Sequence, residues 1–505
     1  KRLGDRFRLL AGGRRTAVPR QQTLHALIDW SWDLLTEDDR RLLRRLSVFA
    51  GGWTPELAAS VVGDADGGAD PVELIDGLTR LVDRSLVIVD RGQATTRYHM
   101  LETIRQYARE QLAKSDEATT IADRHFATFK ALAETAEPEL RGPAMGDWLD
   151  RLDAEVDNLG AAMEWGLEAS PDAAVHMAAA LMAYWSSRVA SSDVEARILA
   201  AIDIARRGAS APGATRDDRV VAARLLGEAA RIWAMAGRPD LGLIWAEDAM
   251  RFAEASGDVT ARVVATSGFA VSCAFTGRGG ELKRLYAGVA ELAEASGQWW
   301  LVAMSTTFAG ASSYRDDPEE AEVLVRRGEE AAARSGNPYV LGATSMGRGR
   351  VLGLQHRPDE AAAAFQRSID RFAEIGDTRF ALASRSDMAH ALRRGGRLEE
   401  AASVYRETIG GWVHLGNRGA IANQLENVGY LAVETGRLER AARLLGAAAA
   451  IRSTAASSMA YDEVPEYEAY VARVRDGLPS EAFEMAWGEG GRLALNQAVA
   501  LALAD

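Results

Sequence analysis

The 505-residue chain has a single cysteine, Cys273, which excludes structural disulfides and any multi-cysteine metal site. It has only four lysines, Lys1, Lys114, Lys130 and Lys283, and none of them follows a glycine. A phosphate-binding loop needs Gly-Lys-[Ser/Thr] behind a glycine-rich turn, because backbone amides and the lysine hold the phosphates together. ATPase chemistry is therefore not expected of this chain itself. No apolar run approaches the ~20 residues a membrane-spanning helix requires. The basic stretch Lys1–Arg20 lacks the apolar centre and cleavage site of a secretory signal. The seven histidines, at 25, 99, 125, 176, 356, 390 and 414, show no metal-ligand spacing, and there is no Gly-x-Ser-x-Gly elbow. Cys273 falls in a helix column where a small core residue belongs. The expectation is a non-enzymatic, cytoplasmic chain holding no cofactor or metal. A net charge of -13 argues against non-specific binding of nucleic acid or of an anionic membrane.

What is present is a repeat. Ser256-Gly257-Asp258, Ser296-Gly297-Gln298, Ser335-Gly336-Asn337, Ile375-Gly376-Asp377 and Leu415-Gly416-Asn417 follow one another at intervals of 40, 39, 40 and 40 residues. Midway lies a second turn marker, at Gly237-Arg238-Pro239, Gly277-Arg278, Asp317-Pro318, Arg357-Pro358, Gly396-Arg397 and Gly436-Arg437. Two turns per period leave room for two helices, each pair burying its apolar side only against its neighbours, which predicts a helical solenoid. Three columns keep register through six copies. A small one reads Ala230, Ala270, Ala309, Gly349, Ala389 and Gly429; a second reads Gly242, Leu282, Ala321, Ala361, Ala401 and Ala441; a bulky one reads Ala246, Tyr286, Val325, Phe365, Tyr405 and Leu445. Small residues admit close backbone approach and large ones fill the grooves. This spacing resembles the tetratricopeptide repeat in a longer form, and predicts a right-handed superhelix over 217–455.

The first part of the chain reads differently. Thr36 followed by Glu37, Asp38 and Asp39 opens a helix with Leu42, Leu43, Leu46 and Phe49 inward. A second helix is expected at about 54–62 and a third at 71–83, with Leu74, Ile75, Leu78 and Leu81 inward. Ser85–Asp90 and Thr95–Met100 then alternate as a hairpin around Arg91-Gly92-Gln93, closed by a helix from Glu102 to Ala113. This is the pattern of a winged helix. Its third helix, Val72–Arg84, carries Glu73, Asp76 and Asp83 against Arg80 and Arg84, one net negative charge, whereas a helix entering a DNA groove should be basic. A structural, non-DNA-binding role is expected.

Several motifs together resemble a known family. Pro19–Leu24, Ile28-Asp29-Trp30-Ser31-Trp32-Asp33-Leu34-Leu35, Leu46–Trp53, Leu101–Ala108, Trp148–Leu152 with Asp157-Asn158-Leu159, and the tail Ala482–Leu503 resemble large actinobacterial LuxR/AfsR-like transcription regulators of the signal-transducing ATPase (NB-ARC/STAND) class. The resemblance implies this arrangement: 1–20 the tail of an upstream nucleotide-binding module, 21–115 the winged helix, 116–216 a helical linker, 217–455 six repeats and 456–505 a C-terminal helical cap. It also implies a sensor region, with ATP or ADP bound only by the upstream domain. Met100-Leu101-Glu102 stands where related ATPases carry methionine-histidine-aspartate, so Leu101 replaces the histidine that approaches nucleotide, with Arg97 and His99 as remaining candidates. A stand-alone scaffold without a nucleotide switch is the alternative.

In such arrays the first helix of each pair lines the concave side. The position after the small column reads Arg231, Val271, Gly310, Arg350, His390 and Tyr430, and four residues on it reads Met235, Phe275, Tyr314, Leu354, Arg394 and Glu434. The expected ligand or partner site is Arg350, His390, Arg394 and Tyr430, with Phe275 and Tyr314 as apolar anchors. Its guanidinium groups suit a protein partner or small anionic ligand.

Overall fold

A computed structural model describes residues 27–63, 70–90, 95–188, 192–236, 238–274, 282–313, 317–455, 459 and 463–504. The chain divides into two compact units. The first comprises residues up to Thr135 together with Arg151–Met177, and the second Ala136–Asp150 with Ala178 onward. The segment 116–216, read above as one linker, contributes to both.

In the first unit, α1 (Glu37–Leu46), α2 (Pro55–Val62), α3 (Pro71–Asp83), β1 (Ile88–Asp90), β2 (Arg97–His99) and α4 (Glu102–Ala113) form the winged helix. Local chemistry sets the helix starts: Thr36 Oγ1 accepts the Asp39 amide at 3.2 Å, and Pro55 and Pro71 open α2 and α3 where an amide hydrogen is dispensable. The strands pair antiparallel with Val89 opposite Tyr98, and Trp53 exchanges backbone hydrogen bonds with Tyr98 at 2.8 Å, adding a third edge. Leu43, Leu46, Phe49, Trp53, Leu78 and Leu81 form the core. Ile75 departs from expectation, being 40% exposed beside outward-facing Val72, because the buried stripe of α3 runs through Leu74, Gly77, Leu78 and Leu81 instead. The hairpin turn 91–94 and the tail 1–20 lie outside the described residues.

Two motifs far apart in sequence meet in this unit. Gly52 adopts φ 87°, where a Cβ would stand 2.7 Å from the Tyr98 carbonyl oxygen, so only glycine fits. Asn158, fully buried on α7 (Val156–Ala169), accepts the Ala50 amide at 2.8 Å and donates to the Gly52 carbonyl at 2.8 Å and to Glu155 at 2.7 Å. Arg97 in turn bonds Glu155 at 2.5 Å and the Ala154 carbonyl.

Phe49 and Phe129 also enclose His125, at ring-centroid separations of 5.3 and 4.6 Å. Burial pushes the His125 imidazole down to about 4. A histidine whose folded pKa lies below its usual 6.5 leaves the fold fully stable above pH 6.5, with stability lost as pH falls towards 4. Between pH 7 and pH 5 the packing around α1 and α5 (Ala118–Glu139) is expected to weaken by about 2 kcal/mol, read by hydrogen exchange of those helices. His125→Leu should remove that increment, and equal acid sensitivity in the variant would show that other groups cause it.

The second unit holds six helix pairs. The first helices are α10 (Arg216–Met235), α12 (Val259–Ala274), α14 (Trp299–Ser313), α16 (Pro338–Leu354), α18 (Thr378–Arg394) and α20 (Arg418–Glu434). Their partners are α11 (Pro239–Ser256), α13 (Leu282–Ala295), α15 (Pro318–Ser335), α17 (Pro358–Glu374), α19 (Leu398–His414) and α21 (Leu438–Ala455). The fold is thus mainly α, a winged helix followed by a tetratricopeptide-type solenoid. Gly257, Gly297, Gly336, Gly376 and Gly416 all have φ between 62° and 70°, the left-handed cap that lets one pair end and the next begin. All three columns are buried. They also mesh: a Cβ on Gly349 would stand 2.8 Å from the Phe365 ring and one on Gly429 3.2 Å from Leu445, so the small column receives the bulky one. Before the pairs lie α8 (Pro171–Ser187) and α9 (Ser192–Ser210), and after them α22 (Val464–Gly477), α23 (Ser480–Gly491) and α24 (Leu495–Leu503). No described helix is long and apolar enough to cross a membrane.

Candidate functional site

Of the six residues expected to form the site, Phe275 and Tyr314 lie outside the described residues. His390, Arg394 and Tyr430 come together in the last repeats, around α22. His390 is buried, its Nδ1 2.9 Å from the Tyr405 hydroxyl and its Nε2 3.2 Å from Asn423. Burial lowers its pKa to about 4, so it is neutral near pH 7 and supplies no cation. Tyr430 is buried and stacks on Tyr470 of α22 at 4.3 Å, with the Arg393 guanidinium 5.1 Å from its ring centre. Arg394 bonds Glu466 of α22, as does Arg393 at 2.6 Å. Arg350 bonds Asp387 at 2.7 Å, and the same carboxylate acts on His390. Arg394 and Tyr430 thus border α22, and carboxylates of the same chain meet both arginines, Asp387 at Arg350 and Glu466 at Arg394.

Arg394 and Glu466, with Leu354, His356, Glu434 and Tyr470, line an open polar cleft of about 990 Å³ of empty volume, counting the part open to solvent. A second, more apolar space lies at the other end of the array. The inner faces of α10, α12, α14 and α16 enclose a cavity with about 720 Å³ of empty volume, counting the part open to solvent. Trp300, Tyr286 and Phe308 provide flat apolar walls, the last two stacked at 5.7 Å, and Met235, Val271 and Met304 fill the remainder. The residues 140–145 close one side. They are held there by the Asn337 amide, which donates to the carbonyls of Leu140 at 3.1 Å and Gly142 at 3.2 Å while its oxygen caps α16. Arg231, Val271 and Met235, which line this cavity, belong to the two groove-facing columns read from the sequence.

One wall is ionic. Glu228 accepts Arg231 at 2.9 and 3.1 Å and has Arg141 at 4.0 Å. Burial opposes the charge on Glu228, but Arg231 and Arg141 outweigh it and hold the carboxyl below the ordinary carboxylate value. Arg231 also reaches Ser186 at 3.0 Å. Arg141 pairs with Glu137 at 3.3 Å, and Glu137 also meets Arg224. Burial pulls the Arg141 guanidinium below its usual value, its Nε has no hydrogen-bond partner, and it stands 5.4 Å from the Trp300 ring centre. Arg141, Arg224 and Arg231 thus share Glu137 and Glu228, and Asp258 also acts on Arg224. No sequence pattern announced this wall, because Glu137 and Arg141 lie outside the repeats.

The outward face of α3 in the winged helix carries Val72, Glu73, Ile75, Asp76 and Thr79, while Arg80, which could serve a phosphate, bonds Asp39 at 2.9 Å. Arg97, a candidate for approaching nucleotide, is committed to Glu155.

A winged helix-turn-helix domain family matches residues 35–113. The chain is similar to a Mycobacterium tuberculosis protein bearing the name of an HTH-type transcriptional regulator, 46% identical over 190 residues, which are 37% of this chain and 21% of that protein. A Mycobacterium bovis counterpart matches to the same extent. An uncharacterized Mycobacterium tuberculosis protein is 40% identical over 123 residues, 24% of this chain and 31% of that one. The matched part is thus about a fifth to a third of the length of these relatives. Among solved structures, a signal transduction ATPase with numerous domains (STAND) carrying a tetratricopeptide repeat sensor, from Pyrococcus horikoshii, aligns over 91% of this chain and 63% of its own at 14% identity and TM-score 0.48.

Proposed function

We propose that this chain is the sensor region of a cytoplasmic transcription regulator of the LuxR/AfsR-like signal-transducing ATPase class. In this reading the repeat array takes a ligand or protein partner, and the winged helix couples its occupancy to a nucleotide-binding module that precedes it. The cavity of the first repeats carries the reading: an apolar, concave site with a few convergent polar groups is what small-molecule recognition requires. The relatives named as regulators support the context. The chain works by binding and not by catalysis, and ATP or ADP belongs to the preceding module. The winged helix acts without DNA, since α3 presents acidic and apolar side chains and its Arg80 is spent on Asp39.

Two measurements test it. Duplex DNA should migrate unretarded with this chain at near-physiological salt, and retardation abolished by Arg80→Ala with Arg84→Ala would make the winged helix a DNA reader. In cells producing the whole gene product, Val271→Trp, which fills the cavity, should abolish the regulated transcriptional response. A full response in that variant removes the cavity from the sensor.

A further inference from the structure

Resting on the sensor reading above, we propose that the cavity recognises an amphipathic monoanion, a flat apolar body with one anionic group seated on Arg141. The body follows from the walls. Trp300, Tyr286 and Phe308 offer ring faces, while Met235 and Met304 adapt to irregular outlines. A polyhydroxylated ligand would leave its hydroxyls unmatched against these side chains.

The anionic group follows from the ionic wall. Arg231 spends two bonds on Glu228 and one on Ser186, contacts that a ligand would have to displace. Arg141 differs. Its contacts to carboxylates are long, 3.3 Å to Glu137 and 4.0 Å to Glu228, and its buried Nε donates to nothing. A guanidinium whose buried Nε is left unused is costly, and a carboxylate, sulfonate or phosphate oxygen is the partner its planar fork matches. Arg224, beyond Glu137, also faces Asp258, so the anion is called for by the unused donor of Arg141 and its long carboxylate contacts, not by a net charge of the wall. The Trp300 ring under the same guanidinium places the start of the apolar body next to the charge.

The experiment titrates the whole chain with two fluorescent probes, 1-anilinonaphthalene-8-sulfonate and N-phenyl-1-naphthylamine, which share an aromatic body and differ by the sulfonate. Expected is saturable binding of the sulfonate at one per chain, weakened roughly tenfold or more by Arg141→Gln, the worth of a charge-assisted hydrogen bond. Arg141→Lys keeps the charge but not the fork and should recover only part of the affinity, while the neutral probe changes little in either variant. Val271→Trp, or Ser267→Trp should the first fail to fold, should abolish both probes. Arg141→Gln weakening both probes alike, or neither, overturns the anion assignment and leaves the sensor reading standing. Binding indifferent to both tryptophan variants, or no saturable binding of either probe, overturns the proposal together with the cavity as sensor.

Discussion

Glu466→Gln should destabilise the C-terminal repeats by about 3–5 kcal/mol, the usual cost of leaving buried charge without its counter-ion. Arg393, whose side chain is 1% exposed, and Arg394 both terminate on this carboxylate. Arg393 has other partners in the Tyr470 hydroxyl at 2.8 Å and the Tyr430 ring, but none of them is charged. Burial opposes ionisation of Glu466, and the bonds from Arg394 and Arg393 overcome it and hold the carboxyl down to about 2. The sign follows: a carboxyl depressed from 4.5 contributes stability that is complete above pH 4.5 and lost as pH falls towards 2, about 3 kcal/mol in all. Denaturant unfolding of wild type and Glu466→Gln at pH 7 and pH 3 checks both statements. The variant should be weaker at pH 7 and the gap should narrow at pH 3. An unchanged midpoint at pH 7 would mean that α22 is not anchored by this pair.

The parts of this architecture that repeat were legible because each copy restates the same local physics. A left-handed turn demands glycine at 257, 297, 336, 376 and 416, and close helix approach demands a small residue where Gly349 and Gly429 receive Phe365 and Leu445. The groove-facing direction of Arg231, Val271 and Met235 follows from the same register. What occupies the groove is set by segments outside the repeat, and no periodicity encodes them. Asn337 meets Leu140 across 197 residues and Arg393 meets Glu466 across 73. The first contact builds a cavity wall, and the second belongs to the ion pair by which Glu466 engages Arg394 as well as Arg393. Asn158 was read as one motif and Gly51-Gly52 as another, yet they form one hydrogen-bonded knot whose 106-residue separation no local pattern shows. Ile75 was misplaced for a smaller reason: one step off the buried stripe turns a side chain by about 100° on a helix.

The second large effect concerns Gly268, where α12 crosses α10. A Cβ there would stand 2.2 Å from the Gly227 carbonyl oxygen and 3.0 Å from its carbon, and one on Gly227 would meet the Val264 oxygen at 2.9 Å. Every obstructing atom is backbone, so no rotamer change relieves the contact and the helices themselves must part. Gly268→Ala is therefore expected to cost about 1–3 kcal/mol, at the upper end of overpacking effects, despite alanine's better helix propensity. Gly410→Ala is the counter-case: exposed within α19, with nothing within 4 Å, it should stabilise by roughly 0.5–1 kcal/mol. Thermal unfolding of the pair should move in opposite directions. Because α10 carries Glu228 and Arg231 and α12 carries Val271, parting these helices also displaces two walls of the cavity. Gly268→Ala should then weaken the sulfonate probe while Gly410→Ala leaves it unchanged, and equal melting temperatures in both variants would mean that the two helices are not held at backbone contact.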